Sequence, residues 1–396
     1  MNIIIIGAGA SGLTAAISLK RRYSCEITII EGSSVPGKKI LLTGNGKCNL
    51  ANLNTNQRFF NGDPGLVSSV MQDYSTADDM DFLRSIGIYP ANDGSGRLYP
   101  GSMQAKSCVQ LLYAECLRLG VNFIFDTLAT SIEKSTEGYT VNKKFHCHKL
   151  IITTGGFASP KTGSDGSMLN LLANMGVKFT PVAPALVALI PDKKYPYCLK
   201  GIRAKCKATL YIEGKIIDSD TGEVQFNEKS ISGIPIMQLS GRASRALLDH
   251  KKVQLCLNKL PDEQNVASII HEIIRRNPDM PAEDAFSGLL NPKLYHDDLK
   301  TLGVKSDDPV KNLQGKIPQF VSLLTSMKIN IVDTAGMQNA QVSSGGIPYS
   351  QVNTDTMELK RLQNVYVAGE ILDVDGLCGG YNLMWARQSA RKIKLC

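Results

Sequence analysis

The apolar pattern changes period within the first twenty residues. Four consecutive isoleucines, Ile3, Ile4, Ile5 and Ile6, read as a strand buried on both faces. They run directly into Gly7-Ala8-Gly9-Ala10-Ser11-Gly12, after which Leu13, Ala16 and Ile17 recur at helical spacing. A second apolar strand over 26–30 ends at Glu31. Farther on, Met80, Phe82, Leu83 and Ile86 predict a short helix over 78–86, and an amphipathic helix over 106–119 is closed by Gly120. Strands at 121–125 and 129–132, a hairpin at 139–146 and an apolar strand at 150–153 follow; the last ends in Thr154-Gly155-Gly156. A helix over 169–175 stops at Gly176.

The rhythm then breaks. Residues 188–242 read as short alternating strands separated by turns, such as 208–212 and 215–218. Residues 261–324 read as charged helices interrupted by Pro278, Pro281, Pro292, Pro309 and Pro318. The α/β style returns with an apolar strand over 365–368 that ends in Gly369-Glu370, and Gly379-Gly380 precede a helical run from Leu383. The fold expected is α/β, with a Rossmann-like domain formed by both chain ends, 1–188 and 330–396. An insertion interrupts it, a β-barrel or sandwich over 189–259 with a helical cap over 260–329. No internal repeat and no low-complexity tract is present.

The glycine run assigns the first chemistry. Gly7 allows a tight turn, Gly9 lets a pyrophosphate approach bare backbone, and Gly12 lets the helix sit close to the strand. The helix N-terminus adds unpaired N–H groups and a partial positive charge. Glu31, about 20 residues beyond Gly12, stands where a ribose-binding acid belongs. Between Gly120 and Gly369 no second strand–GxGxxG–helix appears. That argues against a separate NAD(P) domain and for FAD, a long cofactor held by distant segments. The loop after Glu31 carries only Cys48, so the redox cysteine pair of a disulfide reductase is missing from it.

Composition narrows the rest. The 396 residues exceed one ordinary domain, and 43% hydrophobic with 20% charged residues describes a globular chain. No apolar stretch nears the roughly 20 residues that cross a bilayer, and the opening run is too short for a secretory signal. A cytoplasmic enzyme with no membrane partner is expected. The ten cysteines are scattered without a CxxC pair, which fits free thiols. His146 and His148 flank Cys147 on one strand, but without further ligands no metal is assigned. The net charge of +8 is spread along the chain; its densest cluster, over 193–207, is broken by tyrosines, prolines and glycine. This argues against a nucleic-acid partner and sets no oligomeric state.

The segments IIIGAGASGL, LLTGNGKCNLAN, GRLYP, TTGGFASPKTGSDG, PALVAL and AGEILDVDGLCGGYNLMWA closely resemble one group of bacterial FAD oxidoreductases. The group includes aminoacetone oxidase and the 3-dehydro-bile acid Δ4,6-reductases, and the resemblance extends in order over almost the whole chain. It implies an FAD domain built from both ends around a barrel-and-helix insertion. It places Gly7, Gly9, Ala10, Ser11 and Gly12 at the pyrophosphate and Glu31 on the adenosine ribose. Gly37, Lys38 and Lys39 would flank the nucleotide, with Thr43, Gly44, Asn45, Gly46, Lys47, Cys48 and Asn49 running towards the flavin ring. Ala129 matches a position whose backbone meets adenine, and Thr154 and Gly155 belong beneath that pocket. Gly369 and Glu370 stand where most flavoproteins have Gly-Asp at the ribityl and phosphate region.

Asp375, Gly379, Gly380, Asn382 and Leu383 lead into the last helix. Its N–H groups would stabilise charge at the N1–C2=O edge of the flavin. Tyr381 and Lys47 are the candidate catalytic groups, with Arg97 and Tyr99 behind them. The resemblance implies a small-molecule substrate bound between flavin and insertion. It allows NAD(P)H-linked reduction of a C=C bond or oxygen-linked oxidation of an amine. A flavin-dependent RNA-modifying enzyme and a non-catalytic flavin redox sensor are the alternatives.

Overall fold

The computed structural model describes residues 1–192 and 199–395. The lysines and tyrosines of 193–198, part of the basic cluster, lie outside the described residues. Two compact units emerge, Met1–Pro184 with Met337–Cys396, and Ala185–Gly336.

In the first unit the opening strand, Asn2–Ile6, lies inside a seven-stranded sheet. It pairs in parallel with Glu26–Ile30 on one side (Ile5 opposite Ile29) and Lys149–Ile152 on the other (Ile5 opposite Ile151). Asn122–Ile124 extends the sheet on one flank. On the other, Val365–Val367 from the C-terminal segment pairs in parallel with Lys149–Ile152. Ile3 and Ile5 are fully buried and Ile4 and Ile6 nearly so, as a strand covered on both faces requires. Chain order reverses at this first strand, which places a crevice at its C-terminal end, beside Gly7. The helices Ala10–Arg22 and Tyr381–Arg391 pack against each other, joining the two chain ends.

The second unit contains a closed barrel of six strands. Their order is Leu189–Pro191, Ile231–Gly233, Lys215–Phe226, Arg203–Ile212, Val253–Asn258 and Met327–Thr334. Two expectations change here. The barrel does not end at 259: Met327–Thr334, expected partly as cap and partly as the returning FAD domain, pairs with Val253–Asn258 and Leu189–Pro191 and closes it. Its alternation was the available signal, with Ile329 and Ile331 buried and Lys328, Asn330 and Val332 exposed. The region over 188–242 is also not all strand. Ile234–Leu248 is a helix that buries Ile236, Leu239, Ala243 and Ala246 at helical spacing. The strands Arg203–Ile212 and Lys215–Phe226 are longer than expected and form one hairpin. Helices between 266 and 325 complete a core separate from that of the first unit. Among the described residues no helix is long and apolar enough to cross a membrane.

Candidate functional site

The three glycines of the opening turn have three different surroundings. A Cβ on Gly7 (φ +100°) would stand 2.7 Å from the Thr153 carbonyl oxygen, and one on Gly12 would stand 1.9 Å from that of Gly7. A Cβ on Gly9 would meet nothing within 4 Å. Gly7 and Gly12 are therefore demanded by packing, whereas Gly9 faces open space, as a backbone that admits a pyrophosphate must. Gly9 caps the Ala10–Arg22 helix without any side-chain cap bond, and its first turn carries no acid. The N–H groups of Ala10, Ser11 and Gly12 belong to the orphan donors of that turn. Thr153, beside the named Thr154, donates its hydroxyl to the carbonyls of Ile6 and Gly7 and fixes the turn from below.

Glu31 is held over this turn. Its Oε2 accepts from the Ala8 N–H at 2.6 Å and its Oε1 from the Ser33 N–H at 2.8 Å. Each oxygen retains a lone pair for a ribose hydroxyl. Gly37 donates its N–H to the Ala8 carbonyl and packs on Val109, so it braces the glycine turn. Lys38 is exposed. Gly32 packs on Leu128, which brings the buried Ala129 close to the chain just past Glu31. Gly155 adopts φ +75°, and a Cβ there would stand 2.5 Å from Ser164 Oγ. Thr154 is half-buried beside it.

Two residues expected to contact the nucleotide separately contact each other. Lys39 Nζ lies 2.7 Å from Glu370 Oε2 and also donates to the Ala158 carbonyl. Glu370 Oε1 accepts from the N–H and hydroxyl of Ser343. Ser343 in turn accepts from the N–H groups of Phe157 and Ala158. Glu370 is thus a strut tying three segments together, because its longer side chain reaches past the position a shorter Asp would occupy. Ser343 carried no sequence signal. Gly369 (φ +85°) sits so close to Ser11 that a Cβ would overlap its hydroxyl, 2.1 Å away. The C-terminal segment therefore meets the opening glycine turn directly.

The 40–49 segment is a 3-10 turn, Ile40–Gly46, followed by Lys47, Cys48 and Asn49. Gly44, Asn45, Gly46 and Cys48 all take positive φ. Thr43 donates its hydroxyl to the Ile40 carbonyl, while Asn45, Gly46 and Lys47 are exposed. Asn49 Oδ1 is buried without a hydrogen-bond partner, an orphaned acceptor that a ligand donor would satisfy. The Cys48 side chain is buried.

At the head of the last helix, Gly379 and Gly380 take φ +127° and +99°, and the helix has no side-chain cap. A Cβ on Gly380 would stand 2.4 Å from the Ala51 carbonyl oxygen, and the Gly379 carbonyl accepts from Asn52 Nδ2. The Asn382 amide bridges both backbone groups of Gly376, so its side chain locks the turn. Leu383 is half-buried in the first turn. Asp375 is buried in a two-stranded ribbon and accepts from Asn61 Nδ2. Tyr381 is buried, its ring stacks on Phe59 at 5.0 Å, and its hydroxyl donates to the Asn54 carbonyl at 2.9 Å. Burial pushes its phenol up. The hydroxyl of Tyr381, a candidate catalytic group, is thus engaged by a backbone carbonyl. Behind the turn, Arg387 makes a buried bidentate pair with Asp79 and donates to the Leu50 carbonyl.

His146 and His148 have separate partners, the Thr140 hydroxyl and the Asn2 N–H.

The open flank of Gly9, the orphaned Asn49 oxygen and two uncapped helix N-termini in one unit fit an elongated dinucleotide with an anionic centre. A family model, HI0933-like protein Rossmann domain, matches residues 1–393. The chain belongs to the HI0933-like family. It is 34% identical to the 3-dehydro-bile acid delta(4,6)-reductase of Clostridium scindens, over 96% of this chain and 95% of that protein. It is 26% identical to the ribosomal RNA dihydrouridine synthase of Escherichia coli, over 98% and 95%. Among solved structures, the 3-ketosteroid delta1-dehydrogenase of Sterolibacterium denitrificans superposes with a TM-score of 0.50 at 10% identity, covering 98% of both chains, a likeness of fold. This HI0933-like chain is an FAD-dependent oxidoreductase, and its Rossmann-like domain with a barrel insertion is the fold expected from the sequence.

Proposed function

We propose that the chain reduces a carbon–carbon double bond conjugated with a carbonyl, in a polycyclic enone of bile-acid or steroid type, with NAD(P)H as electron donor. The observation that carries this reading is the uncapped Gly379-Gly380 turn heading an eleven-residue helix, beside the loop that ends in the orphaned Asn49 oxygen. When bound, FAD supplies the hydride chemistry. The N–H groups of Tyr381, Asn382 and Leu383 would stabilise negative charge on a cofactor held at this turn. Arg97 Nε lies 3.9 Å from where a Gly379 Cβ would stand, and Lys47 is exposed on the 43–49 loop. These two cations are our candidates to orient the substrate carbonyl. The name of the Clostridium scindens relative supports a conjugated double bond as the target.

A second reading is favoured by the two relatives named ribosomal RNA dihydrouridine synthases. Forming dihydrouridine also saturates a double bond beside a carbonyl. The two readings share their chemistry and differ in what presents the bond.

The test is anaerobic reduction of the flavin-loaded protein by NADH or NADPH, followed by a steroid dienone or by ribosomal RNA lacking dihydrouridine. Rapid reoxidation by the dienone, with a saturated product, supports the first reading. Turnover on RNA alone transfers the chain to the second. Reduction by an amine, with peroxide released in air, would overturn both.

A further inference from the structure

A groove in the first unit is lined by Gly176, Lys178, Ser350, Gln351, Lys360 and Arg361, has a volume of about 290 Å³ and is lined by no acid. None of these residues belongs to the cofactor or substrate machinery described above. Local structure explains why the cations gather. The Ser167–Asn174 helix closes at Gly176, whose N–H bonds to the Ala173 carbonyl and whose φ is +86°. A Cβ on Gly176 would stand 2.9 Å from Arg361 Cζ and 3.0 Å from its Nη2, so the guanidinium lies on bare backbone. Val352–Asn353 and Glu358–Leu359 form a hairpin, which the Lys360 N–H extends by bonding to the Gln351 carbonyl at 2.9 Å. Gln351 Oε1 accepts from the Lys178 N–H at 3.2 Å, which leaves its NH2 group as a donor. Lys360 Nζ reaches the Tyr349 carbonyl at 3.5 Å and lies 5.3 Å from the centre of that ring. Among the described residues, neither the Lys178 ammonium nor the Arg361 guanidinium has an acidic partner. Asp63, which approaches Tyr349, is occupied by the N–H groups of Gly65, Leu66 and Tyr349.

We propose that this groove binds the diphosphate group of a small ligand other than FAD. Three cations, the Gln351 amide and the Ser350 hydroxyl offer many donors and no carboxylate, which selects a polyanion rich in acceptor oxygens. The planar Arg361 fork suits two oxygens of one phosphoryl group, while Lys178 and Lys360 act as point charges on the other. A monocarboxylate would leave two of the three charges unmatched. All three cations are exposed, so they stay hydrated and charged until the anion arrives. The groove has room for more than a single phosphoryl group and is open to solvent, so the organic part of the ligand extends outwards. No bond is made or broken; the site holds its ligand by charge and hydrogen bonds alone.

The experiment titrates the FAD-loaded full chain with inorganic pyrophosphate by calorimetry at low salt, with orthophosphate, acetate and a short single-stranded RNA as parallel arms. Pyrophosphate should saturate a single site, at least about tenfold more tightly than orthophosphate or acetate, and weaken as salt screens the charges. Arg361→Gln and Lys178→Gln should each weaken it about tenfold. Lys229→Gln, which removes an exposed charge from the other unit, should leave it unchanged. The absence of saturable pyrophosphate binding overturns the proposal. So does equal weakening by Lys229→Gln, which would mark a response to net charge alone. RNA that binds more tightly than pyrophosphate, and loses that affinity in Arg361→Gln, overturns the diphosphate assignment. Arg361 packs on a helix end, so if Arg361→Gln fails to melt like wild type, Lys178→Gln, at an exposed position, decides. The flavin site is filled throughout, so the readout is independent of which substrate the flavin serves.

Discussion

At the scale of single residues, Gly9 and Gly12 carry the sharpest contrast. Gly9→Ala places its Cβ in open space at an ordinary φ of −79°, so the apoprotein should lose no more than about 1 kcal/mol. If the pyrophosphate approaches this open backbone, its FAD affinity should fall at least about tenfold, because the methyl would stand in its way. Gly12→Ala collides with the Gly7 carbonyl, and the fold itself should lose roughly 1–3 kcal/mol. Urea melts of the apoproteins and flavin fluorescence titrations separate the two, and a Gly9→Ala protein that binds FAD like wild type would refute the assignment. Tyr381 gives a second prediction. Tyr381→Phe keeps the ring on Phe59 and loses only the bond to Asn54, so stability should fall by about 1 kcal/mol and turnover by only a few-fold. A loss of about a hundredfold or more in kcat would instead mark Tyr381 as a proton donor. Its position in the motif had suggested that role, but spacing does not reveal that a backbone carbonyl already occupies the hydroxyl.

Elements were legible where one strand or helix satisfies its own pattern, and illegible where a partner far away supplies the reason. The Asn2–Ile6 strand and its glycine turn were plain because four isoleucines need cover on both faces. The Lys39–Glu370–Ser343 strut was invisible, since its three members come from separate segments and each reads as an ordinary polar residue. A similar long-range tie predicts a pH effect. Glu115, on the Ala105–Arg118 helix, is bonded by Arg118 and by Arg21 of the N-terminal helix, and these hold its carboxyl at about 2. The folded value lies below the ordinary 4.5, so the stabilisation is complete above about 4.5 and is lost as pH falls towards 2. Glu115→Gln should flatten the rise of the urea midpoint between pH 2 and 5 and leave a constant deficit above it. A slope unchanged from wild type would show that the two helices are joined without this carboxylate.

On the scale of the whole molecule, the chain leaves one core, builds a second and returns, and the junctions are its most testable feature. The two hydrophobic cores share no residue. The outgoing strand Thr180–Ala185 pairs with Val342–Gly346, and a Cβ on Gly345 would stand 2.4 Å from the Pro181 carbonyl oxygen. The returning chain is pinned by Ser159, whose N–H donates to the Met337 carbonyl and whose hydroxyl donates to that of Ala340. Both cut ends are therefore anchored within the FAD-binding unit. Joining 184 to 337 through about ten Gly/Ser residues, which span roughly 15–20 Å, should leave that unit able to fold. The opening glycine turn, Glu31, the Lys39–Glu370 strut and the Gly379-Gly380 turn all lie outside 185–336. The shortened protein should melt cooperatively and bind FAD within about tenfold of the full chain. The 185–336 piece, with a closed barrel and a core of its own, should melt cooperatively and take up no flavin. Calorimetry and flavin titration of both pieces make the comparison. A shortened protein that folds but binds no FAD would mean that the insertion supplies cofactor contacts none of these residues reveals.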